Sequence, residues 1–185
     1  KNNSIDTCIQ KVKQLIKYED KKNTQDIRYK YTGELVHKGI QLQKIILESR
    51  DGFPLPAILY IPESDEKSFP LTLYFSSRGK GSAFDSDSAI NVLIKSGRIV
   101  FAADLRGFGE TTVNLGEFRK SFHDWNDQHQ IAQTALYVGK TLIGMRVQDA
   151  IDCLDYLFTY PIIDKSDIEM IGVEQCGPVI IHAAA

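Results

Sequence analysis

Two side chains in the hexapeptide Gly172-Val-Glu-Gln-Cys-Gly177, Glu174 and Cys176, are the ones best placed to do chemistry. An apolar run at residues 168–173 leads into it, and Pro178 with a second apolar run to Ala185 leads out. Proline in the first turn of a helix forfeits no hydrogen bond, because its N–H would have no partner there. The pattern is a buried strand, a sharp glycine-bracketed turn and a helix, which lifts one side chain clear of its neighbours. At that place the Glu174 carboxylate is favoured as an anion by the helix dipole and the free N–H groups. The same stabilisation lowers its pKa and its nucleophilicity together. Carboxylates attack glycosyl and phosphoryl centres, whereas attack on a plain ester would give a mixed anhydride. Cys176 offers a thiolate, which a helix N-terminus also favours. As a nucleophile it would need small residues at 174 and 178, where Glu174 and Pro178 stand. As filler of a close-packed slot it needs no such neighbours.

A second group lies in the polar loop Ser76-Ser-Arg-Gly-Lys-Gly81. Arg78 and Lys80 would either bind an anionic sugar or phosphate or form a solvated basic surface. The glycine spacing is not that of a phosphate-binding Gly-x-x-x-x-Gly-Lys-Ser loop. The histidines, His37, His123, His129 and His182, have surface or packing roles by their positions. Trp125 and Phe122 would supply either a sugar platform or packing for their own loop. Cys8, Cys153 and Cys176 are odd in number and widely spaced, so they form neither a disulfide framework nor a Cys-x-x-Cys metal pair. No metal or other cofactor is expected.

The elements that must position these groups follow from pattern. Residues 5–16 place Ile5, Cys8, Ile9, Val12, Leu15 and Ile16 on one helical stripe, fit for docking on its own or a neighbouring domain, or for a partner. Residues 17–38 are polar, lysine-rich and without a steady period, and read as a linker. The runs 42–48 and 55–61 are β-rich and separated by Ser49-Arg-Asp-Gly52, a hairpin signal. The short apolar run at 71–75 is of the kind buried on both faces of a sheet, and 99–103 and 168–173 read as further buried strands. A helix is predicted near 87–96, with Ile90, Leu93 and Ile94 inward and Gly97 as its stop. After a long loop another runs over 141–159. Its buried stripe is Ile143, Val147, Ala150, Ile151, Leu154, Leu157 and Phe158, with Arg146, Asp149, Asp152 and Asp155 outward. A hairpin followed by alternating strands and helices predicts an α/β fold, a doubly wound and mostly parallel sheet. Two regions result: residues 1–38, helix and linker, and residues 39–185, the α/β domain.

Composition narrows the partners. The chain has 185 residues, 43% hydrophobic and 25% charged, which suits one domain with a sizeable core. A net charge of −2 gives no electrostatic reason to expect nucleic acid or an anionic membrane. No apolar run approaches the roughly 20 residues that span a bilayer. The first residue is lysine, and the apolar run ending at Ala185 carries neither polar cap nor terminating glycine. We therefore expect the sequence to be part of a longer chain, truncated after the last helix.

Four motifs in order carry a resemblance over about residues 40–185. They are the glycine-bearing loop 76–81, Asp104-x-Arg-Gly-x-Gly, Leu142-Ile-Gly-Met-Arg-Val-x-Asp149, and Gly172-x-Glu-x-Cys-Gly177. Together they resemble the N-terminal half of an α/β-hydrolase of the acetyl-xylan-esterase-like and dienelactone-hydrolase-like branch. The resemblance implies ester hydrolysis by a serine or cysteine nucleophile, a histidine base and an acidic orienter, in that chain order. Glu174 stands in the nucleophile seat, so the elbow is degenerate. The acid and histidine are expected on later strands or in a second lobe of the same protein. Arg78, Gly79 and Gln175 are the implied oxyanion loop, with backbone N–H groups as donors. Asp104 and Arg106 are implied braces of the floor, and Asp149 with Arg146 an implied structural pair. The implied substrate is an ester-substituted polysaccharide or small ester, and the implied location periplasmic or secreted. The alternative is a non-catalytic lobe with a structural or ligand-binding role.

Overall fold

A computed structural model describes residues 2–18, 27–83, 89–113 and 127–185. The strands are β1 (Tyr29–His37), β2 (Ile40–Glu48), β3 (Pro54–Pro62), β4 (Phe69–Ser76), β5 (Ile99–Ala103) and β6 (Ile163–Val173). The helices are α1 (Asn2–Leu15), α2 (Ala89–Lys95), α3 (Asp127–Tyr137), α4 (Leu142–Leu157) and α5 (Gly177–Ala183). One sheet of order β1-β2-β3-β5-β4-β6 joins the strands. The first three pairings along it are antiparallel, and the two that link β5, β4 and β6 are parallel. The α/β class is as the sequence pattern predicts, and over these residues the sheet is mixed, with three antiparallel and two parallel pairings.

Side-chain alternation divides the core into two layers. Leu71, Leu73, Phe75, Ile99, Phe101 and Ala103 point to the face covered by α4 and α5. Tyr74, Val100 and Ala102 point to the other, where Ile90 and Ile94 of α2 meet them together with Leu42 and Tyr60. Strands buried on both faces are what the continuous apolar runs at 71–75 and 99–103 require.

Where the linker was expected, residues 29–37 form β1, paired with β2 from Tyr29↔Leu47 to His37↔Ile40. Lys38 and Gly39 both have positive φ, 51° and 73°, and close the two-residue hairpin. Both faces of β1 are exposed along its whole length, so no apolar alternation marks it in the sequence. A register shift between Tyr31 and Gly33 breaks what period there is. Its N-terminal end is fixed by aromatic packing. The Tyr29 ring lies 4.9 Å from that of Tyr156, and the Tyr160 hydroxyl meets those of Tyr31 and Tyr156 at 3.1 and 2.6 Å.

Helix α1 docks on its own domain through Val12 in its last turn and through Ile16 just past its end, which is buried in the main core. Thr141 makes the junction. Its hydroxyl caps α4 by accepting from the Gly144 N–H at 3.0 Å, and donates to the Ile16 carbonyl. A Cβ at Gly144 would lie 2.0 Å from that carbonyl oxygen, so only glycine permits the contact.

On α4 the outward assignment holds for Asp155, which is partly exposed, but Arg146, Asp149 and Asp152 are buried. The pairings explain the difference. Asp152 accepts the Arg50 backbone N–H at 2.8 Å and its guanidinium at 2.5 Å, fastening the β2–β3 turn to the helix. Asp149 is matched by Arg106. Charges enter an interior when their partners enter with them, and partners 43 or 102 residues away leave no mark on a helical period. The loop between β5 and α4 also contains α3, which the sequence pattern leaves unstructured.

Candidate functional site

Strand β6 ends at Val173, a 3-10 turn spans Glu174–Cys176, and α5 begins at Gly177 with Pro178 in its first turn. Glu174 has φ = 55°, a left-handed backbone that a side chain disfavours. A Cβ at Gly172 would lie 2.6 Å from the Cys176 carbonyl oxygen and 2.8 Å from Ile180, so this position tolerates glycine alone. At Gly177 an added Cβ would meet nothing closer than 3.9 Å. The constrained positions are thus 172, 174 and 176, the register in which Glu174 occupies the tip and Cys176 the close-packed slot.

The Glu174 carboxylate is held on both oxygens. Ser77 donates its hydroxyl to Oε2 at 2.6 Å, and Arg78 donates Nε–H to Oε1 at 2.7 Å and a second N–H from Nη2. The Ser77 hydroxyl, then the Arg78 guanidinium, keep this carboxyl below the usual carboxylate range. Ser77 was not among the residues singled out from the sequence. The pair meets because β4 and β6 are parallel neighbours with Ser76 opposite Val173, so the loop and the elbow emerge side by side. Cys176 is fully buried, and burial pushes its thiol up to about 12.

The loop after β4 spends its N–H groups internally. Arg78 N–H donates to Ser76 Oγ at 3.2 Å, Gly79 N–H to the Ser76 carbonyl at 3.0 Å, and Lys80 N–H to Asp104 Oδ1 at 2.6 Å. What the loop offers the crest, the elbow tip at Glu174, is the Ser77 hydroxyl and the Arg78 guanidinium. Gln175 is exposed in the turn after Glu174. Lys80 differs from a solvated loop lysine: it is buried, and its ammonium reaches Asp104 at 2.8 Å and Glu110 at 2.5 Å. Asp104 accepts a third hydrogen bond from the Glu110 N–H at 2.9 Å. A cavity of about 360 Å³ opens elsewhere between α1 and α4. One of about 300 Å³ lies at this loop, lined by Arg78, Lys80, Asp104, Glu110 and the backbones of Gly79, Gly81 and Gly109.

Beneath the crest, Arg106 is the hub. Its guanidinium reaches Asp149 through Nε at 2.8 Å, and Asp51 through both terminal nitrogens at 2.9 and 3.0 Å, and it lies over the Phe53 ring at 4.8 Å. Asp149 thus pairs with Arg106 and not with Arg146. Arg146 lies over Phe108 at 3.8 Å and donates to the Arg106 carbonyl at 2.9 Å. Burial pulls its guanidinium down to about 10. His37 and His129 are exposed, and His182 lines a small cavity between α1 and α5. None of these three meets the elbow carboxylate. His123, Trp125 and Phe122 lie outside the described residues. Among the described residues no group of three or more His, Cys, Asp or Glu is placed to hold a metal ion, and no helix is long and apolar enough to cross a membrane.

No protein-family model and no curated protein sequence matches the chain. Solved structures do. One is a protein assigned as an acetyl xylan esterase from Bacteroides fragilis, with TM-score 0.74 and 16% identity over 94% of this chain and 47% of the other. The acetyl xylan esterase from Paenibacillus sp. R4 gives 0.65 and 19% over 97% and 54%. A glucuronoyl esterase from Solibacter usitatus gives 0.60 and 12% over 90% and 50%. Over its length the chain has the α/β-hydrolase fold of the corresponding part of these structures. The chain spans about half the length of the structures it matches.

Proposed function

We propose that this chain is a carbohydrate-esterase-type α/β-hydrolase lobe whose own elbow does not hydrolyse esters, and which serves as a structural or ligand-binding lobe. One observation carries this: the residue at the tip of the elbow is a glutamate, with both carboxylate oxygens engaged by Ser77 and Arg78. A nucleophile must present an unencumbered lone pair to the carbonyl carbon, and activation means raising its electron density. Both requirements are opposed here, and acyl transfer to a carboxylate would have to form a mixed anhydride uphill, because the adduct expels the carboxylate more readily than the alkoxide. Burial of Cys176, which pushes its thiol up to about 12, supports the same reading for the second candidate.

The likeness to solved carbohydrate esterases supports a second reading for a larger protein. In it the lobe belongs to a periplasmic or secreted esterase acting on ester-substituted polysaccharide, with catalysis supplied by residues outside this elbow. Hydrolysis of p-nitrophenyl acetate tests both. Glu174→Ala and Cys176→Ala are expected to leave any rate within about tenfold, roughly 1.4 kcal/mol in barrier. Turnover insensitive to both substitutions supports the second reading, and no turnover supports the first. A thousandfold loss in either variant overturns the silent elbow.

A further inference from the structure

The Glu174–Arg78 pair is hard to explain as a stabilising device. The Arg78 side chain is 72% exposed and that of Glu174 38%, and ion pairs open to solvent contribute little to folding. Glu174 also holds a left-handed backbone, at φ = 55°. What the geometry does describe is recognition of a carboxylate: a hydroxyl on one oxygen and two guanidinium N–H groups on the other. The group recognised happens to belong to the chain itself.

Beside this pair lies the 300 Å³ cavity at the loop. It is lined by Arg78, Lys80, Asp104, Glu110 and the backbones of three glycines, so that charged groups stand at its ends and glycine and side-chain carbon forms much of its floor, as the mixed faces of a sugar ring require. Lys80 is clamped between Asp104 and Glu110, and those three sum to one negative charge. The cation left to receive an anion is Arg78, at the solvent end. A ligand with a carboxylate at one end and hydroxyls at the other matches this polarity, its hydroxyls facing the exposed Glu110 carboxylate.

We propose that Ser77 and Arg78 form a binding site for the carboxylate of a hydroxylated acid of monosaccharide size, an acid sugar, and that Glu174 occupies the site in cis as a displaceable plug. The proposal rests on the elbow being non-catalytic, since it gives Glu174 a competitive role instead. Displacement requires the Glu174 side chain to swing toward solvent, where it is already partly exposed. No bond is made or broken.

Calorimetric titration with D-glucuronate, with D-glucose as the uncharged control, tests it on the intact chain. Glu174→Gly removes the plug and suits the left-handed backbone, and Glu174→Ala is the second variant. Both are expected to bind glucuronate at least tenfold more tightly than the wild type and to leave glucose binding unchanged. Adding Arg78→Ala to either is expected to abolish the gain. Equal affinity in wild type and both variants, a gain that survives loss of Arg78, or an equal gain for glucose would overturn the plug. The titration involves no ester hydrolysis, so a failure of the plug is read separately from a failure of the silent elbow, which the p-nitrophenyl acetate experiment reports.

Discussion

The three cysteines occupy three different environments, and reactivity follows environment more than residue type. Cys8 is exposed on α1, whereas Cys153 and Cys176 are buried in the core and burial raises both thiols, Cys176 to about 12. Iodoacetamide at pH 7.5 on the native protein is therefore expected to modify Cys8 alone, by peptide mass spectrometry, and all three only in denaturant. Modification of native Cys176 at a rate near that of Cys8 would contradict its burial. At this scale the sequence was informative wherever a constraint is local. Gly172 two residues before Glu174, with a helix directly after, suffices to put the glutamate at the tip. Ser77 escaped notice because its role exists only through a partner 97 residues away. A serine in a polar loop carries no signal of such a partner.

Between elements, the buried charges do the joining. Arg106, after β5, ties the β2–β3 turn through Asp51 to α4 through Asp149. Arg106→Ala would leave Asp149 buried without its counter-ion, and removal of one partner of a buried pair costs about 3–5 kcal/mol. Urea denaturation is expected to show a loss of that size, and a loss below 1 kcal/mol would mean that Asp149 finds another partner. The Asp51 carboxyl is pushed up by burial, but the hydrogen bonds from Arg106 and Ser49 prevail and hold it well below the usual carboxylate range. A carboxyl depressed by folding stabilises the protein above its unfolded value of about 3.9, and that contribution fades as the pH falls toward the folded value. The urea midpoint is expected to drop as the pH falls below about 5, and to drop less in Asp51→Asn. An unchanged acid slope in that variant would remove Asp51 from the linkage. The legibility of the elements divides along the same line. The hydrophobic period found α4 and the buried strands, whereas it put Arg146, Asp149 and Asp152 outside because period alone treats every charge as solvated. It missed β1 because a strand exposed on both faces has no apolar alternation to show.

For the molecule as a whole, the same contrast sets an order of stability. Strands β4 and β5 are buried throughout most of their length, whereas β1 is exposed along all of it and α1 meets the core mainly through its last turn. Local opening is cheapest where little apolar surface is buried. Hydrogen exchange is expected to be slowest in β4 and β5 and faster by orders of magnitude in β1 and α1. Protection of β1 equal to that of β5 would make the antiparallel edge part of the folding core. The fold class was legible at this scale because alternating apolar runs and helices admit few architectures.

Gly144 gives α1 a peculiar kind of dependence. The helix is seated where a side chain is missing, with the Ile16 carbonyl resting in the space a methyl group would fill. Attachment by vacancy is all or nothing. Any substitution at 144, however conservative in polarity, must displace the Ile16 carbonyl and with it the one side chain of this segment that is buried in the core, whereas the pairings of Arg106 with Asp51 and Asp149 include no group of that contact. The seating of the N-terminal segment is thus under single-residue control, decided by whether position 144 carries a side chain at all.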